Sequence, residues 1–447
     1  MPASAYWGIH VLRASENFRL TGRPVPQALI RALALVKKAC ALANRELGHL
    51  PADKAAAIVQ ACDEIAEGGL SDQFPLDALQ GGAGTSTNMN VNEVVANRAL
   101  ELTGACKGDY SRIHPVEDVN RHQSTNDVYP TALRVAAILK LRDLSRDLAA
   151  LQGAFQRKEK EFAGVVKMGR TEMQDAVPMT LGSEFSAFAE AFARDRWRTF
   201  KAEERLRVVN LGGTAIGTGL AAPRSYIFLA TEKLREVTGL GLARSENLVE
   251  ATANADSFVE VAGVLNACAA NFIKMGRDLR LLHLLGEIRV PTVQVGSSIM
   301  PGKVNPVLLE AAVQAGMRAR AEGGLVAEAA GAGTLQINEW LPLIAVSLLD
   351  AIEVLARAAA MLAPHVDGME SCPDACRQGL DSSPALITAF LPRVGYEKAQ
   401  QWMAEYRASG GSDIRAFIAG KLGEAVVADT LSPGHLTALG SREGDPA

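Results

Sequence analysis

The chain has 447 residues, of which 48% are hydrophobic, 21% charged and 5% aromatic. This length is enough to bury a substantial core and predicts two or three domains. A formal net charge of −4 argues against nucleic-acid binding, and no uninterrupted apolar run is long enough to cross a bilayer. The N-terminus also lacks the basic-then-apolar pattern of a secretory signal, so we expect a cytoplasmic protein without a membrane partner.

The first part of the chain predicts shorter helices. Glycine-rich turns interrupt the apolar pattern at residues 68–69 and 81–84. We therefore expect residues 1–124 to form an N-terminal domain.

The middle of the chain predicts long helices, because alanine and leucine dominate its apolar residues and favour helix over sheet. Apolar residues recur there at alternating spacings of three and four, which is a seven-residue repeat. The two series are Leu141, Leu144, Leu148, Leu151 and Phe155, and Phe258, Val261, Leu265, Cys268, Phe272, Met275, Leu279 and Leu282. Helices this long cannot bury such seams alone. The fold is therefore predicted to be mainly α, with a central bundle of long helices over residues 125–375.

Smaller elements complete the prediction. Residues 307–327 and 341–362 are further Ala/Leu-rich helical stretches, and short strands are expected near 165–168 and 290–295. Prolines and glycines become frequent after residue 375, which predicts a small C-terminal helical domain over 376–447.

Six cysteines are scattered along the chain, at Cys40, Cys62, Cys106, Cys268, Cys372 and Cys376. The only close pair, Cys372 and Cys376, lacks a second Cys or His pair at zinc-finger spacing. Free thiols and no metal site are therefore expected.

Residues 296–306 carry the most informative motif, which reads Gly-Ser-Ser-Ile-Met-Pro-Gly-Lys-Val-Asn-Pro. Its hydroxyls, ammonium, carboxamide and flexible glycines can together hold a small anion. A phosphate-binding P-loop would need four residues between its glycines and Ser or Thr after the lysine, but five intervene here and Val304 follows. A plain Gly/Pro-rich turn is the other alternative.

Three further segments place polar side chains close together: residues 82–93, 118–127 and 169–182. Ser, Thr and Asn beside glycine often serve only as turns and helix caps. Four such segments in one chain are harder to explain in that way. Residues 212–219 are also glycine-rich, but they lack the spacing of a dinucleotide-binding fingerprint.

All four segments resemble, in matching chain order, the motifs of the aspartase/fumarase superfamily, as do residues 6–10 and 210–219. Members of this superfamily eliminate an amine or water from a succinyl unit and release fumarate. The resemblance spans almost the whole chain. The sequence of residues 299–306 is typical of the aspartase and fumarase branch of the superfamily. The resemblance implies a three-domain subunit, a homotetramer with active sites shared between subunits, and no organic cofactor. Activation by a divalent metal stays open, because the sequence shows no ligand set for one.

The resemblance also implies roles for individual residues. Such an elimination removes a weakly acidic proton beside a carboxylate, so it needs a strong base and donors that stabilise a dianionic aci-carboxylate. Ser297 corresponds to the base. By this resemblance, Thr85, Ser124, Thr125 and Ser298 hold the carboxylate next to the abstracted proton. The other carboxylate is held by Lys303, Asn305 and Thr171. Asn88 is a further substrate-binding position, and Asn126 is expected to contact the departing group.

Glu172 is the main departure from the family pattern, since fumarases carry histidine there and some aspartases histidine or glutamine. Glu310 corresponds to the acidic partner of that histidine, so two carboxylates are predicted at a catalytic position. Glu172 either stays ionised and pairs with an ammonium, or one of the two carboxyls is protonated and donates a hydrogen bond.

An ionised Glu172 favours an amine over hydroxide as the leaving group. We therefore predict an enzyme that converts L-aspartate to fumarate and ammonia. Fumarate hydration and a C–N lyase acting on a larger N-substituted aspartate are the alternatives within the family. A helical scaffold that has lost the reaction, with Glu172 as the lesion, is the alternative of a different class.

Overall fold

The protein is mainly helical, as predicted, and its computed structural model describes residues 4–440. The helices of the first half are α1 (Ile9–Asn17), α2 (Gln27–Glu46), α3 (Ala52–Ala66), α4 (Thr85–Leu102), α5 (Thr125–Glu161), α6 (Leu181–Ala202) and α7 (Arg224–Thr238). The remaining helices are α8 (Leu248–Ala253), α9 (Asp256–Leu284), α10 (Val307–Gly331), α11 (Leu341–Asp367), α12 (Pro373–Ser382), α13 (Leu391–Val394), α14 (Tyr396–Ser409), α15 (Ile414–Leu422), α16 (Glu424–Thr430) and α17 (Pro433–Leu436).

Three short two-stranded sheets accompany the helices within the described residues. Antiparallel pairs are formed by β1 (Val166–Thr171) with β2 (Gln174–Thr180) and by β5 (Ile288–Arg289) with β6 (Glu370–Ser371), and β3 (Val208–Val209) runs parallel to β4 (Ala243–Arg244). The strand expected near 165–168 is present as β1. The strand expected near 290–295 was misplaced, since β5 ends at Arg289 and Pro291 has no N–H to continue a ladder.

The long helices confirm the apolar repeat. Every member of the two series in α5 and α9 is at most 4% exposed. The Ala/Leu-rich stretches form α10 and α11, as expected. Helix α9 is long and apolar enough to cross a membrane by length and composition alone, and 44% of its most apolar 18-residue stretch is buried. A core helix of a soluble protein passes the same test, so this property is weak support for a membrane span.

The described residues form two compact units. Unit 1 is drawn from the ranges Met1–Ser145, Trp197–Ala269 and Met317–Ala356, and unit 2 from Arg146–Arg196, Ala270–Gly316 and Arg357–Ala447. In unit 1, helix α2 packs against α3 and α7, and α3 packs against α4. The division into three domains at residues 124 and 375 stays a prediction.

Unit 2 has an aromatic core between its segments of α5, α6 and α9. Phe155 stacks on Phe192 with ring centroids 5.7 Å apart, and Phe192 meets Phe272 edge to face at 5.1 Å. A separate hydrophobic cluster gathers side chains from α12 and the helices that follow it, together with Met168 of β1. The hairpin β1–β2 is therefore fixed to a packed core, which positions the polar residues at its tip.

Candidate active site

The N-terminal ends of α4 and α5 approach each other through a glycine. Gly84 has a φ of +89°, and a Cβ atom at this position would lie 2.3 Å from the ring of Tyr129 in α5. Only glycine fits both the left-handed backbone and the close approach. The first turn of α4, which begins at Thr85, is thereby held against the first turns of α5, which begins at Thr125. The positive end of a helix dipole favours anions, as a carboxylate-binding site requires. Some first-turn N–H groups already have acceptors, since the N–H of Thr87 donates to Gln80 Oε1 at 2.9 Å.

A capping box defines the start of α5. Asp127 Oδ1 accepts a hydrogen bond of 3.0 Å from the N–H of Ser124, and the Ser124 hydroxyl accepts one of 3.2 Å from the N–H of Asn126. The other oxygen of Asp127 accepts from the N–H groups of Gly212 and Thr214 at 3.1 and 3.0 Å. Burial raises the pKa of this carboxyl to about 7, although the three backbone donors act in the opposite direction.

Asn126 joins the same helix start to the glycine-rich segment 210–219. Its Nδ2 donates to the carbonyl of Ala215 at 2.7 Å, and its own carbonyl accepts from Asn210 Nδ2 at 2.9 Å. The segment 210–219 therefore holds the start of α5 in place. A structural role of this kind agrees with the absence of a dinucleotide-binding spacing in the segment.

Hydroxyl and amide groups meet beneath this helix start. Asn88 Nδ2 lies 3.1 Å from Thr125 Oγ1 and 3.2 Å from Asn120 Oδ1. The Asn88 side chain is only 2% exposed, so it contacts Thr125 from the buried side. Its direct contact with substrate stays a prediction. Thr85 is exposed, and its hydroxyl donates to the Gly82 carbonyl at 2.7 Å.

The hairpin β1–β2 carries Thr171 and Glu172 at its tip. Thr171 pairs with Gln174, which leaves Glu172 and Met173 as a two-residue turn with φ values of +51° and +59°. Two positive φ angles are the geometry of a type I′ turn, which favours Asn and Gly rather than Glu and Met. The turn holds the Glu172 carboxylate out from the hairpin, where it is exposed.

A buried ionic network anchors this hairpin. Lys167 is 2% exposed and lies 2.6 Å from Glu184 and 2.5 Å from Glu287. Arg170 Nη1 lies 2.6 Å from Glu287 Oε1, and its Nε lies 3.0 Å from Asp175 on the opposite strand. These residues fix the strand immediately before Thr171. Sequence reasoning missed them, because the partners lie far apart in the chain and no local pattern connects them.

The motif at 296–306 forms a closed loop. The N–H of Gly296 donates to the carbonyl of Lys303 at 3.0 Å, and Asn305 Nδ2 donates to the carbonyl of Gly296 at 2.6 Å. A Cβ at Gly296 would lie 2.3 Å from the Lys303 carbonyl oxygen, so the closure requires glycine. One donor of Asn305 is used for this clamp, and its contact with substrate stays a prediction. Lys303 and Ser298 are exposed.

Ser297 receives two hydrogen bonds inside this loop. Its Oγ accepts from the N–H of Ile299 at 3.2 Å and from the N–H of Met300 at 3.0 Å. By itself this is the geometry of a serine cap. The same two donors would also stabilise negative charge on the oxygen, so they favour the alkoxide that a serine base needs.

Among residues 4–440 of one chain, no hydrogen bond joins Glu310 to Glu172. Arg280 of α9 lies 3.5 Å from Glu310, which lies in the first turn of α10. A cavity of about 610 Å³ opens beside this pair. It is lined by Met173, Arg277, Arg280, Leu281, His283, Leu284, Val304, Pro306 and Glu310. The end of the loop and the hairpin tip therefore face the same space within unit 2.

Comparison with known proteins decides the family. The family model described as Lyase matches residues 1–321. An aspartate ammonia-lyase of Pseudomonas aeruginosa is 46% identical over 98% of this chain and 94% of that relative. One of Bacillus subtilis is 42% identical over 92% of this chain and 88% of that relative. The chain belongs to the lyase family of the aspartase/fumarase superfamily.

Solved structures of this lyase family agree with the assignment. A fumarate lyase:delta crystallin from Brucella melitensis bound to cobalt matches with a TM-score of 0.93 and 46% identity, covering 98% of this chain and 97% of that one. The class II fumarase of Schistosoma mansoni matches with a TM-score of 0.90 and 30% identity, covering 97% and 96%. Within residues 4–440 of the lyase described here, no group of three His, Cys, Asp or Glu side chains is placed to hold a metal ion.

The twelve residues that the sequence assigned to the site of this lyase fall into two groups. Unit 1 holds Thr85, Asn88, Ser124, Thr125 and Asn126, and unit 2 holds Thr171, Glu172, Ser297, Ser298, Lys303, Asn305 and Glu310. The first group converges at the helix starts of α4 and α5. The second is carried by one loop, the following helix and one hairpin tip. The individual roles of these residues stay predictions.

Proposed function

We propose that this lyase removes ammonia from L-aspartate and releases fumarate, and that it does so in the cytoplasm. Full-length relatives with the name aspartate ammonia-lyase support the reaction. The observation that carries the chemistry is the Ser297 oxygen, which accepts two backbone N–H groups on an exposed loop. Two such donors stabilise an alkoxide, which is the base that the removal of a proton beside a carboxylate requires.

The proposed reaction has two steps. The Ser297 alkoxide takes the proton from the carbon next to one carboxylate, and the electron pair of that C–H bond moves into the carboxylate to form a dianionic aci-carboxylate. The pair then returns to form the double bond of fumarate, while the C–N bond breaks and its electrons leave with the nitrogen. The departing nitrogen is already an ammonium in aspartate, so ammonia leaves as a neutral molecule. The proton on Ser297 then passes to solvent, which restores the alkoxide.

Neutral donors suit the carboxylate that accumulates charge. In the proposal, this group binds Thr85, Ser124, Thr125 and Ser298. A hydroxyl donor becomes more favourable as charge grows in the transition state, whereas it binds the ground state only modestly. The helix N-termini of α4 and α5 add two further sources of positive potential.

The other carboxylate does not change its charge, so it serves as an anchor. Lys303 supplies a positive charge, and Asn305 and Thr171 supply neutral donors. Both Lys303 and Thr171 are exposed on the chain and available to a ligand. Asn126 contacts the departing nitrogen in this proposal.

Glu172 favours an amine as the leaving group. Its exposed carboxylate can pair with the ammonium of aspartate, and Arg280 keeps a positive charge beside Glu310. A hydroxyl group, as in malate, offers no charge for Glu172 to bind.

Absorbance of fumarate during incubation with L-aspartate or L-malate tests this function. Turnover of aspartate at a kcat/KM well above that of malate is the expected result. Faster turnover of malate would assign fumarate hydration, and exclusive turnover of an N-substituted aspartate would assign a larger amine. Binding of fumarate without any turnover would identify a scaffold.

Replacing Glu172 by glutamine is expected to raise the KM for aspartate by about tenfold, the loss that removal of one charged partner typically causes. The KM for malate, which has no ammonium, is expected to change by less than about threefold. Steady-state kinetics with both substrates measure the difference. Equal losses for both substrates would show that Glu172 acts without regard to the amine.

We further propose a homotetramer in which each active site takes residues from several subunits. Large apolar side chains are exposed on two of the helices: Trp197 is 61% exposed and Leu284 is 79% exposed. Exposed apolar side chains of this size are typical of a surface that another protein chain covers. Such a surface is suited to packing against further copies of the chain.

Complementation tests this arrangement. Ser297→Ala and Thr171→Val variants are each expected to be inactive, and tetramers that contain both should regain part of the wild-type activity. The regain arises because some sites would combine an intact serine with an intact threonine from another subunit. Mixed tetramers purified with two affinity tags and found inactive would count against shared sites.

A further inference from the structure

Lys37 is a buried cation beneath the carboxylate-binding residues of unit 1. Its side chain is completely buried, and its Nζ donates to Asn120 Oδ1 at 2.8 Å and to Gln123 Oε1 at 2.9 Å. Burying an ammonium is costly unless it has partners. Neither hydrogen-bond partner carries a charge, but the buried carboxyl of Asp127 acts on the ammonium and favours its charged form. No motif in the sequence marks this lysine.

Two contacts determine the orientation of the Asn120 amide: its Nδ2 donates to the Gln123 carbonyl at 3.1 Å, and its Oδ1 accepts from the Lys37 ammonium at 2.8 Å. Burial lowers the pKa of Lys37 to about 8, so the group is protonated at neutral pH, with three donors and no acceptor. An amide oxygen and an amide nitrogen have similar shapes, but only the oxygen can accept from an ammonium. Asn120 must therefore direct its Oδ1 toward Lys37.

The orientation of Asn120 determines that of two further amides. Its Oδ1 also lies 3.2 Å from the Asn88 amide nitrogen and 3.1 Å from the Asn92 amide nitrogen. Because an oxygen only accepts, both side chains must direct their N–H groups toward it. Their own Oδ1 atoms are buried and have no hydrogen-bond partner among the described residues. The arrangement thus leaves two acceptors unpaired, which is a cost to folding.

The hydrogen-bond series that runs from Lys37 through Asn120 and Asn88 ends at Thr125, a proposed substrate-binding residue. Asn88 Nδ2 lies 3.1 Å from Thr125 Oγ1, so the amide donates and the hydroxyl accepts. A hydroxyl has a single proton, and this bond leaves that proton available for a bond to another acceptor. If the Asn120 amide turned over, Asn88 could present its oxygen to Thr125, and the hydroxyl would donate into the protein instead.

We propose that Lys37 is a positioning residue that fixes the direction of this hydrogen-bond series, so that the Thr125 hydroxyl donates to the reacting carboxylate. The proposal rests on the proposed function, because only there does Thr125 touch the substrate. Lys37 itself does not touch substrate. It keeps one donor directed outward before the substrate binds, and a donor that is already oriented needs no reorganisation when charge develops.

The test combines Lys37→Met with Thr125→Val in a double-mutant cycle at pH 7, with L-aspartate as substrate. Lys37→Met is expected to lower kcat by about 10- to 100-fold, the range expected for misdirecting one donor to a developing oxyanion. The KM should change by less than about threefold, because the donor acts mainly in the transition state. In the Thr125→Val background, Lys37→Met should cost less than about twofold more. A full additive loss in that background would overturn the proposal.

Lys38→Met is the matched control. Lys38 neighbours Lys37 in α2 but pairs with Asp63 at 2.6 Å, away from the series. Its kcat and KM should equal those of the wild type. If Lys38→Met lowers kcat as much as Lys37→Met does, the effect belongs to the charge or stability of α2, and the proposal is wrong.

A second pair of variants keeps the test decisive if Lys37→Met does not fold. Both variants lose the N–H that donates to the Gln123 carbonyl. Asn120→Asp retains oxygens that can accept from Lys37, Asn88 and Asn92, whereas Asn120→Leu removes the acceptor at similar size. We expect Asn120→Asp to keep kcat within about fivefold and Asn120→Leu to lose as much as Lys37→Met, by the same donor argument. Equal activities of the two variants would contradict the series. A wild-type enzyme that does not turn over aspartate would reject the proposed function, whereas an active wild type with an unchanged Lys37→Met would reject only this inference.

Discussion

Replacing Ser297 by alanine is expected to lower kcat for aspartate by about 10²- to 10⁴-fold, the usual contribution of a positioned base. Alanine keeps the size of the side chain but removes the oxygen that receives the Ile299 and Met300 N–H groups. The substrate anchors at Lys303 and in unit 1 stay intact, so fumarate should still bind. Single-turnover kinetics and the rise in melting temperature on adding fumarate measure the two effects.

Ser298→Ala is the natural comparison, because Ser298 is the next residue and is exposed on the same loop. As one of several neutral donors, it is expected to matter less than the base. Ser297→Ala with wild-type turnover would eliminate the proposed chemistry. Loss of both turnover and fumarate binding would instead indicate a collapsed loop, and Ser297 would then be a structural cap.

Replacing Gly84 by alanine is expected to destabilise the protein by about 2–4 kcal/mol, from the left-handed backbone and the overlap with Tyr129. The Cβ would lie 2.3 Å from a ring atom that is itself buried, so α4 and α5 must move apart. Because this displacement shifts Thr85 relative to Thr125, kcat should fall as well. Urea denaturation and aspartate kinetics measure the two losses.

Gly104→Ala is the matched control for the cost of placing alanine in a left-handed backbone conformation. Gly104 has a φ of +74°, and a Cβ there would meet no atom within 4 Å. It is expected to cost only about 1 kcal/mol, the penalty of a left-handed alanine, without loss of activity. If the two variants are equally stable, the contact with Tyr129 does not determine the position of α4.

The long helices could be predicted from the sequence because a seven-residue repeat is a local property. The spacing from Phe258 to Leu282 specifies one buried face of α9, and the structure buries every one of those residues. The membership of the family was also readable, since the motif at 296–306 keeps its residues in consecutive order. Both predictions depend on short stretches of chain.

Contacts between distant parts of the chain were beyond that reasoning. Lys37 and Asn120 are 83 residues apart, and Arg170 and Glu287 are 117 apart, so no periodicity or motif connects them. That Glu172 and Glu310 share a catalytic position stays a prediction. Arg280 lies 3.5 Å from Glu310, at a point where α9 approaches the start of α10 so closely that a Cβ at Gly276 would lie 2.7 Å from Val313.

The hairpin tip at Glu172 and Met173 has a consequence for engineering. Both residues adopt positive φ angles that Asn-Gly would adopt with less strain. A selection for heat resistance would therefore tend to replace Glu172 by asparagine or glycine, and the gain would come at the position proposed to recognise the amine. Thermostable descendants of this enzyme should then discriminate less well among leaving groups, so durability and selectivity would be exchanged at a single codon.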